Sequence, residues 1–387
     1  MVGNGSEGTS KSQPMPPERA KIEPERIPER LRALPGLDRV REAASGTATY
    51  LVGGAVRDLL LGRDRTDLDI AVEGDAAAVG RRLGGEVRTH ERFATATVHT
   101  AGLELDLATS RSESYPEPGA LPEIQPATLS EDLARRDFTL NAMAVPLAGD
   151  PELIDPHGGL EDLRRGALRV LHDDSFVDDP TRALRAARYA ARYGFDLDPD
   201  TERLLREADL ATVSSDRVDA ELRKLAAEET ARRGFELLDE WGLVPLPDDA
   251  PELIDAVSAL IVGEAWSRVA DRDDAVLAAA RGRGRDAAGE LAAAEVTAPS
   301  QAVDLARGQD GVTLALARAL GAEWLDRYVE EWRDIRLDID GDDLMEAGIP
   351  EGPAIGRGLT AALRAKLDGE VASTEDELRV ALGVARS

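Results

Sequence analysis

One stretch constrains this chain more than any other. Residues 49–72 read TYLVGGAVRDLLLGRDRTDLDIAV. A short apolar run is followed by two glycines, a helically spaced segment ending at Gly62, and a polar–apolar alternation. That order predicts strand, tight turn, helix and half-buried strand. At the turn, Gly53 and Gly54 let backbone N–H groups approach an anion closely, and a helix N-terminus favours negative charge. On the second strand, Asp67 and Asp69 are two apart and so point to one face. Two neighbouring carboxylates repel unless a cation lies between them. A hard divalent ion such as Mg²⁺ takes oxygen ligands of this kind together with substrate phosphates. Taken singly, an Asp-x-Asp in an acidic chain is usually plain surface, and a Gly-Gly pair is usually a plain turn. The combination is what carries information.

Around this stretch the pattern predicts helix over 25–45, helix over 75–83 closed by Gly84 and Gly85, and three strands: EVRTH, TATVHT and LELDLAT. In the last, the leucines at 103, 105 and 107 face a core and leave Asp106 on the opposite face. Three carboxylates can hold two metals, one activating an attacking hydroxyl and the other stabilising a leaving pyrophosphate. Residues 110–129 are rich in Pro, Ser and Glu without a period and predict a long loop. From about residue 131 the texture is helix after helix, with a turn-rich joint at 153–163. The fold class expected is α+β: a small head with a mixed sheet, then an all-α remainder.

Composition bounds the rest. The chain of 387 residues exceeds one compact core, and no apolar run is long enough to span a bilayer. The first residues lack the apolar centre of a secretory signal and read as a disordered tail. With no cysteine there is no disulfide, thiolate zinc site or cysteine nucleophile, which fits the reducing cytoplasm. The net charge of −28, taken alone, argues against a polyanionic partner. An RNA partner therefore needs a local basic surface. RALRAARYAAR (182–192) offers four arginines and no acid, and reads either as such a surface or as an ordinary solvated helix face. Arg182, Arg185, Arg188 and Arg192 fall on one connected helix stripe. The HD dipeptide at His172 has no further histidine to complete a metal site and reads as incidental. His157 reads as a turn residue. Tyr189, Tyr193 and Phe195 read as core or as base-stacking neighbours, and the four tryptophans as packing residues.

LVGGAVRDLLLGRDRTDLDI resembles the signature of class II tRNA nucleotidyltransferases and bacterial poly(A) polymerases, members of the DNA polymerase beta superfamily. Further segments follow in that family's order. EDLARRDFTLNAMA (131–144) is similar to its sugar-binding motif and IDPHGGLEDL (154–163) to its head-to-neck hinge. DDPTRALRAARYAARYGF (178–195) resembles the base-reading motif, SSDRVDAELRKL (214–225) the neck helix, and 339–359 the tail of tRNA-directed members. The resemblance covers roughly residues 48–387. It implies a polymerase-beta-like head over 25–147, a helical neck over 148–235, and a helical body and tail over 236–387, after a disordered tail over 1–24. It also implies that Asp67 and Asp69 bind Mg²⁺, with Asp106 as the third acid. Gly54 and Arg57 would contact the triphosphate. Arg136, Asp137 and Asn141 would surround the ribose and phosphates, Asp179 and Arg182 would read the base, and Arg185 and Arg188 would line the nucleotide site. Asp178 stands where the family often has Glu, which keeps the charge.

Base selection without a template then has a physical rationale. Adenine and cytosine both present an amino donor beside a ring-nitrogen acceptor. Guanine and uracil present a carbonyl beside an N–H. A carboxylate only accepts and a guanidinium only donates, so Asp179 and Arg182 suit the first pair and leave polar groups unpaired against the second. Each such group costs about 1–3 kcal/mol. The activity implied is addition of A, C or both, from ATP and CTP, to the 3′ acceptor end of tRNA, with no DNA or membrane partner. An A-only enzyme, a poly(A) polymerase and a non-catalytic RNA-binding relative are the alternatives.

Overall fold

Helices α1 (Ile27–Ala33) and α2 (Leu37–Ala43) bury Ile27, Leu31, Leu37 and Val40 against the rest of the head. The expected helix over 25–45 is thus two, broken ahead of Gly36, whose φ is 77°. The predicted strand–turn–helix–strand follows as β1 (Ala48–Val52), α3 (Gly54–Leu60) and β2 (Asp67–Glu73). Next come α4 (Ala76–Leu83), capped by the Asp75 side chain, and β3 (Glu86–His90), β4 (Thr95–Thr100) and β5 (Leu103–Thr109). This computed structural model describes residues 22–34, 36–63, 67–84, 86–90, 95–100 and 103–387. The disordered tail expected over 1–24 falls almost wholly outside them.

The main sheet has the order β3-β4-β5-β2-β1-β8, where β8 is Ala144–Pro146. Only β2 and β5 run parallel; the other pairs are antiparallel, so the sheet is mixed. Leu105, Leu107, Ile70 and Val72 point to the buried face, as their alternation requires, and Asp106 is exposed on the other.

The segment 110–129 departs from the expectation of an unstructured loop. Arg111–Ser114 (β6) and Glu123–Pro126 (β7) form a two-stranded antiparallel ribbon. No apolar alternation marks these strands; Glu113 on β6 pairs with Arg111 on the same strand and with Arg135 further along the chain. Beyond the ribbon lie α5 (Leu129–Ala134), opened by a Thr128/Glu131 capping box, α6 (Gly159–Arg165), β9 (Ala167–Leu168) and α7 (Ser175–Asp178). The long helix α8 (Thr181–Tyr193), β10 (Asp196–Leu197), α9 (Pro199–Leu205) and α10 (Ser215–Ala226) follow.

The chain divides into two compact units at Glu221/Leu222. The second, Leu222–Ser387, is helical and carries no strand. Its apolar centres include Ile339, Leu344 and Ala381, and Ala302, Trp332 and Leu367. Trp266 and Trp332 are buried, as packing residues should be. No described helix is long and apolar enough to cross a membrane.

Candidate active site

A cavity of about 390 Å³ in the first unit gathers most of the residues singled out from the sequence. Gly53, Gly54, Arg57, Asp69, Arg136, Asp137, Asn141, Asp179, Arg182, Arg185 and Arg188 all line it. So do Glu113, Tyr115, Arg135, Thr181, Tyr189, Arg192 and Glu221, which sequence reasoning had not assigned to a site or, for Tyr189 and Arg192, had left undecided. Seven arginines face five carboxylates. In a chain of net charge −28 this is a local cationic pocket, the exception that an anionic ligand requires.

The glycine turn is dictated by close approach. Gly53 has φ 65°, and a Cβ there would lie 2.6 Å from Nη1 of Arg136. Its own N–H donates to the Met143 carbonyl at 3.2 Å, so of the two glycine amides Gly53's is already engaged.

The cationic wall is tied together by alternating charges. Arg57, 2% exposed, donates to Asp58 at 2.9 Å and to the Asn141 side-chain oxygen at 2.6 Å. Asn141 donates onward to Asp137 at 2.9 Å, and Asp137 also accepts from Arg185 at 2.5 and 2.8 Å. Arg185 and Arg188 lie 3.7 and 3.6 Å from Glu221. Burial alone would raise the Asp137 pKa, but the Arg185 charge and the donors on its oxygens outweigh it and hold the carboxyl below its ordinary range. Tyr189 and Tyr193 are buried and serve as platforms: Arg57 lies 4.7 Å from the Tyr193 ring centre and Arg188 lies 5.0 Å from that of Tyr189. Arg136 is oriented by Asp132, which also binds Arg135.

The expected base-reading pair is arranged unequally. Asp179 precedes α8 on extended backbone, and its Oδ1 accepts from the Thr181 N–H at 3.1 Å, the Thr181 hydroxyl at 2.6 Å and Arg217 at 2.9 Å. All three bonds fall on Oδ1, leaving Oδ2 for another donor. Arg217 in turn donates to the Gly119 carbonyl at 2.7 Å. Gly119, with φ 71°, sits between the ribbon strands, and a Cβ there would lie 2.4 Å from the Thr212 hydroxyl. Arg182 is 4% exposed. Its Nη1 donates to the Ser175 hydroxyl at 2.7 Å and its Nη2 to the Arg135 carbonyl at 3.0 Å, with the Tyr115 hydroxyl at 3.4 Å. Burial pushes the Tyr115 hydroxyl up to about 12, so it stays protonated.

The carboxylate wall belongs to the sheet. Asp69 and Asp106 are register partners on the parallel pair β2–β5, and both line a second cavity of about 420 Å³. Asp69, Arg135 and Arg136 line both cavities, so Asp69 lies where the two meet. Asp106 does not line the first cavity. It is exposed and accepts from the Thr97 hydroxyl at 2.8 Å. Asp67 begins β2, opposite Glu104, and its side chain lies outside the described residues. Among the described residues no group of three or more His, Cys, Asp or Glu is placed to hold a metal ion by itself. Oxygen donors on adjacent strands, open to a cavity, fit a hard divalent ion that completes its shell with substrate oxygens.

Sequence reasoning missed Glu113, Arg135, Arg217 and Glu221. Arg217 and Glu221 sit in the neck-helix motif, and Arg135 sits beside Arg136, so proximity to recognised motifs was the available signal. His172, read as incidental, lies 3.3 Å from Arg182.

The family described as "Poly A polymerase head domain" matches residues 49–169, and "Probable RNA and SrmB- binding site of polymerase A" matches 194–246. The A-adding tRNA nucleotidyltransferase of Halalkalibacterium halodurans is 44% identical over 204 residues, 49% of this chain and 48% of its own length. This chain thus spans about half the length of that relative. The CC-adding tRNA nucleotidyltransferase of Deinococcus radiodurans is 37% identical over 365 residues, 89% of this chain and 92% of its own. A solved CCA-adding enzyme in complex with ATP superimposes with a TM-score of 0.74 at 29% identity, covering 93% of this chain and 96% of that one. A near-full-length relative at this identity, two matched family segments in chain order and a shared fold together establish that the chain belongs to the family of tRNA nucleotidyltransferases and bacterial poly(A) polymerases.

Proposed function

We propose that this chain adds A, C or both, from ATP and CTP, to the 3′ end of tRNA without a template, releasing pyrophosphate. The observation that carries this reading is Asp69 standing between a cavity walled by arginines and a second cavity that it shares with Asp106. A transferase that joins two substrates needs two sites meeting at the reacting atoms.

The triphosphate lies along Arg57, Arg185 and Arg188, whose forked donors match phosphate oxygens. Gly54, Arg136, Asp137 and Asn141 fix the ribose and phosphates. The free Oδ2 of Asp179 accepts the amino group of adenine or cytosine, and Arg182 donates to the neighbouring ring nitrogen. Arg182's buried anchorage keeps the pair rigid, as selection by fixed protein groups demands. The RNA 3′-oxygen then bonds to the α-phosphorus as the bond to pyrophosphate breaks on the far side. Enzymes of this family generally use divalent metals. Here Asp67 and Asp69 would hold Mg²⁺, with Asp106 beside them. When bound, it would polarise the α-phosphate and lower the pKa of the attacking hydroxyl, whose proton would pass to solvent. The cytoplasm, where tRNA is processed, is the compartment this reading implies.

The test is incubation of the full chain with tRNAs ending at the discriminator base, at CC and at CCA, with each labelled triphosphate in turn. Extension at the discriminator with CTP, at CC with ATP, or both, is the expected result and sorts CCA, CC-only and A-only activity. Repeated ATP addition past CCA indicates a poly(A) polymerase. Failure to extend any of them overturns the proposal.

A further inference from the structure

His172 lies in the turn between β9 and α7, where its carbonyl accepts from the Ser175 N–H at 3.2 Å. That turn brings its Nε2 to 3.3 Å from Nη1 of Arg182. A guanidinium has donors and no acceptor, so Nε2 must present its lone pair. A hydrogen bond there requires a neutral ring with its proton on Nδ1, the nitrogen that faces Asp178 Oδ2 at 4.0 Å. A second proton on the ring would set N–H against N–H and place two cations in contact. Arg182 has other anchors, namely Ser175, the Arg135 carbonyl and Tyr115. None of these titrates near neutrality; only the imidazole does.

We propose that His172 is a positioning residue for base selection: its neutral imidazole braces Arg182 through Nη1, and protonation releases that brace, so discrimination between triphosphates weakens in acid. This rests on the reading of Arg182 as a base-contacting group. The surroundings agree on the direction. Burial lowers the pKa of His172 and so does Arg182, against the opposing pull of Asp178, Asp174 and Asp173. Glu113 and Tyr115 from the ribbon, and Glu131 and Arg135 from α5 and its end, line the cavity that His172, Asp178 and Arg182 share. The brace is therefore present at neutral pH and lost as pH falls through a value below the usual 6.5.

The experiment compares kcat/KM for ATP and CTP with those for GTP and UTP on one tRNA acceptor, from about pH 5.5 to about 8.5, a window in which none of the four bases gains or loses a proton. The ratio cancels the pH dependence of the common attacking hydroxyl. Wild-type selectivity is expected to fall about tenfold towards the acid end, the size of one hydrogen bond to a charged group. His172→Gln, whose amide oxygen accepts at every pH, is expected to give a flat profile. A flat wild-type profile, or an acid loss that persists in His172→Gln, overturns the proposal. Arg182→Ala at pH 7.5 separates the two levels: an unchanged ratio removes Arg182 from base reading, whereas a collapsed ratio without the His172 profile removes only the brace. NMR titration of the histidines gives a readout apart from activity. Arg182→Gln should raise the His172 pKa, and an unmoved titration overturns the contact.

Discussion

Arginine plays opposite parts in the two units. In the first, Arg57 and Arg182 are 2% and 4% exposed and bond to residues far away in the chain, as Arg57 does to Asn141, 84 positions on. In the second, several pairs span one helical turn, Arg268 with Glu264, Arg327 with Glu331, Arg379 with Asp376, and longer-range ones such as Arg364 with Asp304 also stay at the surface. There both partners stand largely in water; the Arg327 and Glu331 side chains are 63% and 50% exposed. Buried arginines tied to groups across the fold wall the cavity, whereas these exposed arginines with local partners form a solvated coat. An acidic chain can therefore hold a strongly anionic substrate without a cationic surface.

The sharpest way to probe this contrast removes charge where the two walls meet. If Asp69 holds the metal as proposed, Asp69→Ala should lower nucleotide incorporation by at least about 10³-fold, since such a contact would stabilise developing charge by several kcal/mol. Its thermal unfolding should stay near wild type. Turnover above a tenth of the wild-type rate removes Asp69 from the metal site. Arg185→Ala comes next. It leaves Asp137, 7% exposed, without its main partner, and should cost about 3 kcal/mol of stability in a denaturant titration. The same pair makes an acid limb. The folded pKa of Asp137 is depressed, so its stabilisation is present above the unfolded value of about 3.9 and disappears as pH falls through the folded one. The gap between wild type and Arg185→Ala should therefore close below about pH 4; a constant gap assigns the loss to packing instead. Arg217→Ala frees Asp179 and should reduce selection of ATP and CTP over GTP and UTP about tenfold, as loss of one charge-assisted bond does. Equal selectivity in that variant detaches Arg217 from base reading. The smallest effect belongs to the second unit: Arg268→Ala, at a pair whose side chains are both largely exposed, should shift the melting temperature by no more than about 1 °C. A large shift there would erase the contrast.

Legibility followed the same division. The strand, glycine turn, helix and strand of residues 49–72 were readable because period and breakers are local properties. The burial of Leu105 and Leu107 with Asp106 outward was readable for the same reason. The ribbon β6–β7 was not, because its strands show no apolar alternation and Glu113 ties β6 to Arg135, a partner that only the fold brings near. His172 looked idle because its partner is an arginine on α8 and not a second metal ligand.

By itself the sequence determined the order of elements, the face each side chain takes within its element, and the motifs that mark a nucleotidyltransferase. Only the tertiary structure decided that Gly53 must yield room to Arg136, that Asp179 keeps one oxygen open while Arg217 and Thr181 occupy the other, and that Asp69 stands between two cavities. The reason is range. Periodicity is fixed by backbone geometry over a few residues, whereas a hydrogen bond between residues 84 positions apart exists only once the chain has closed the loop between them.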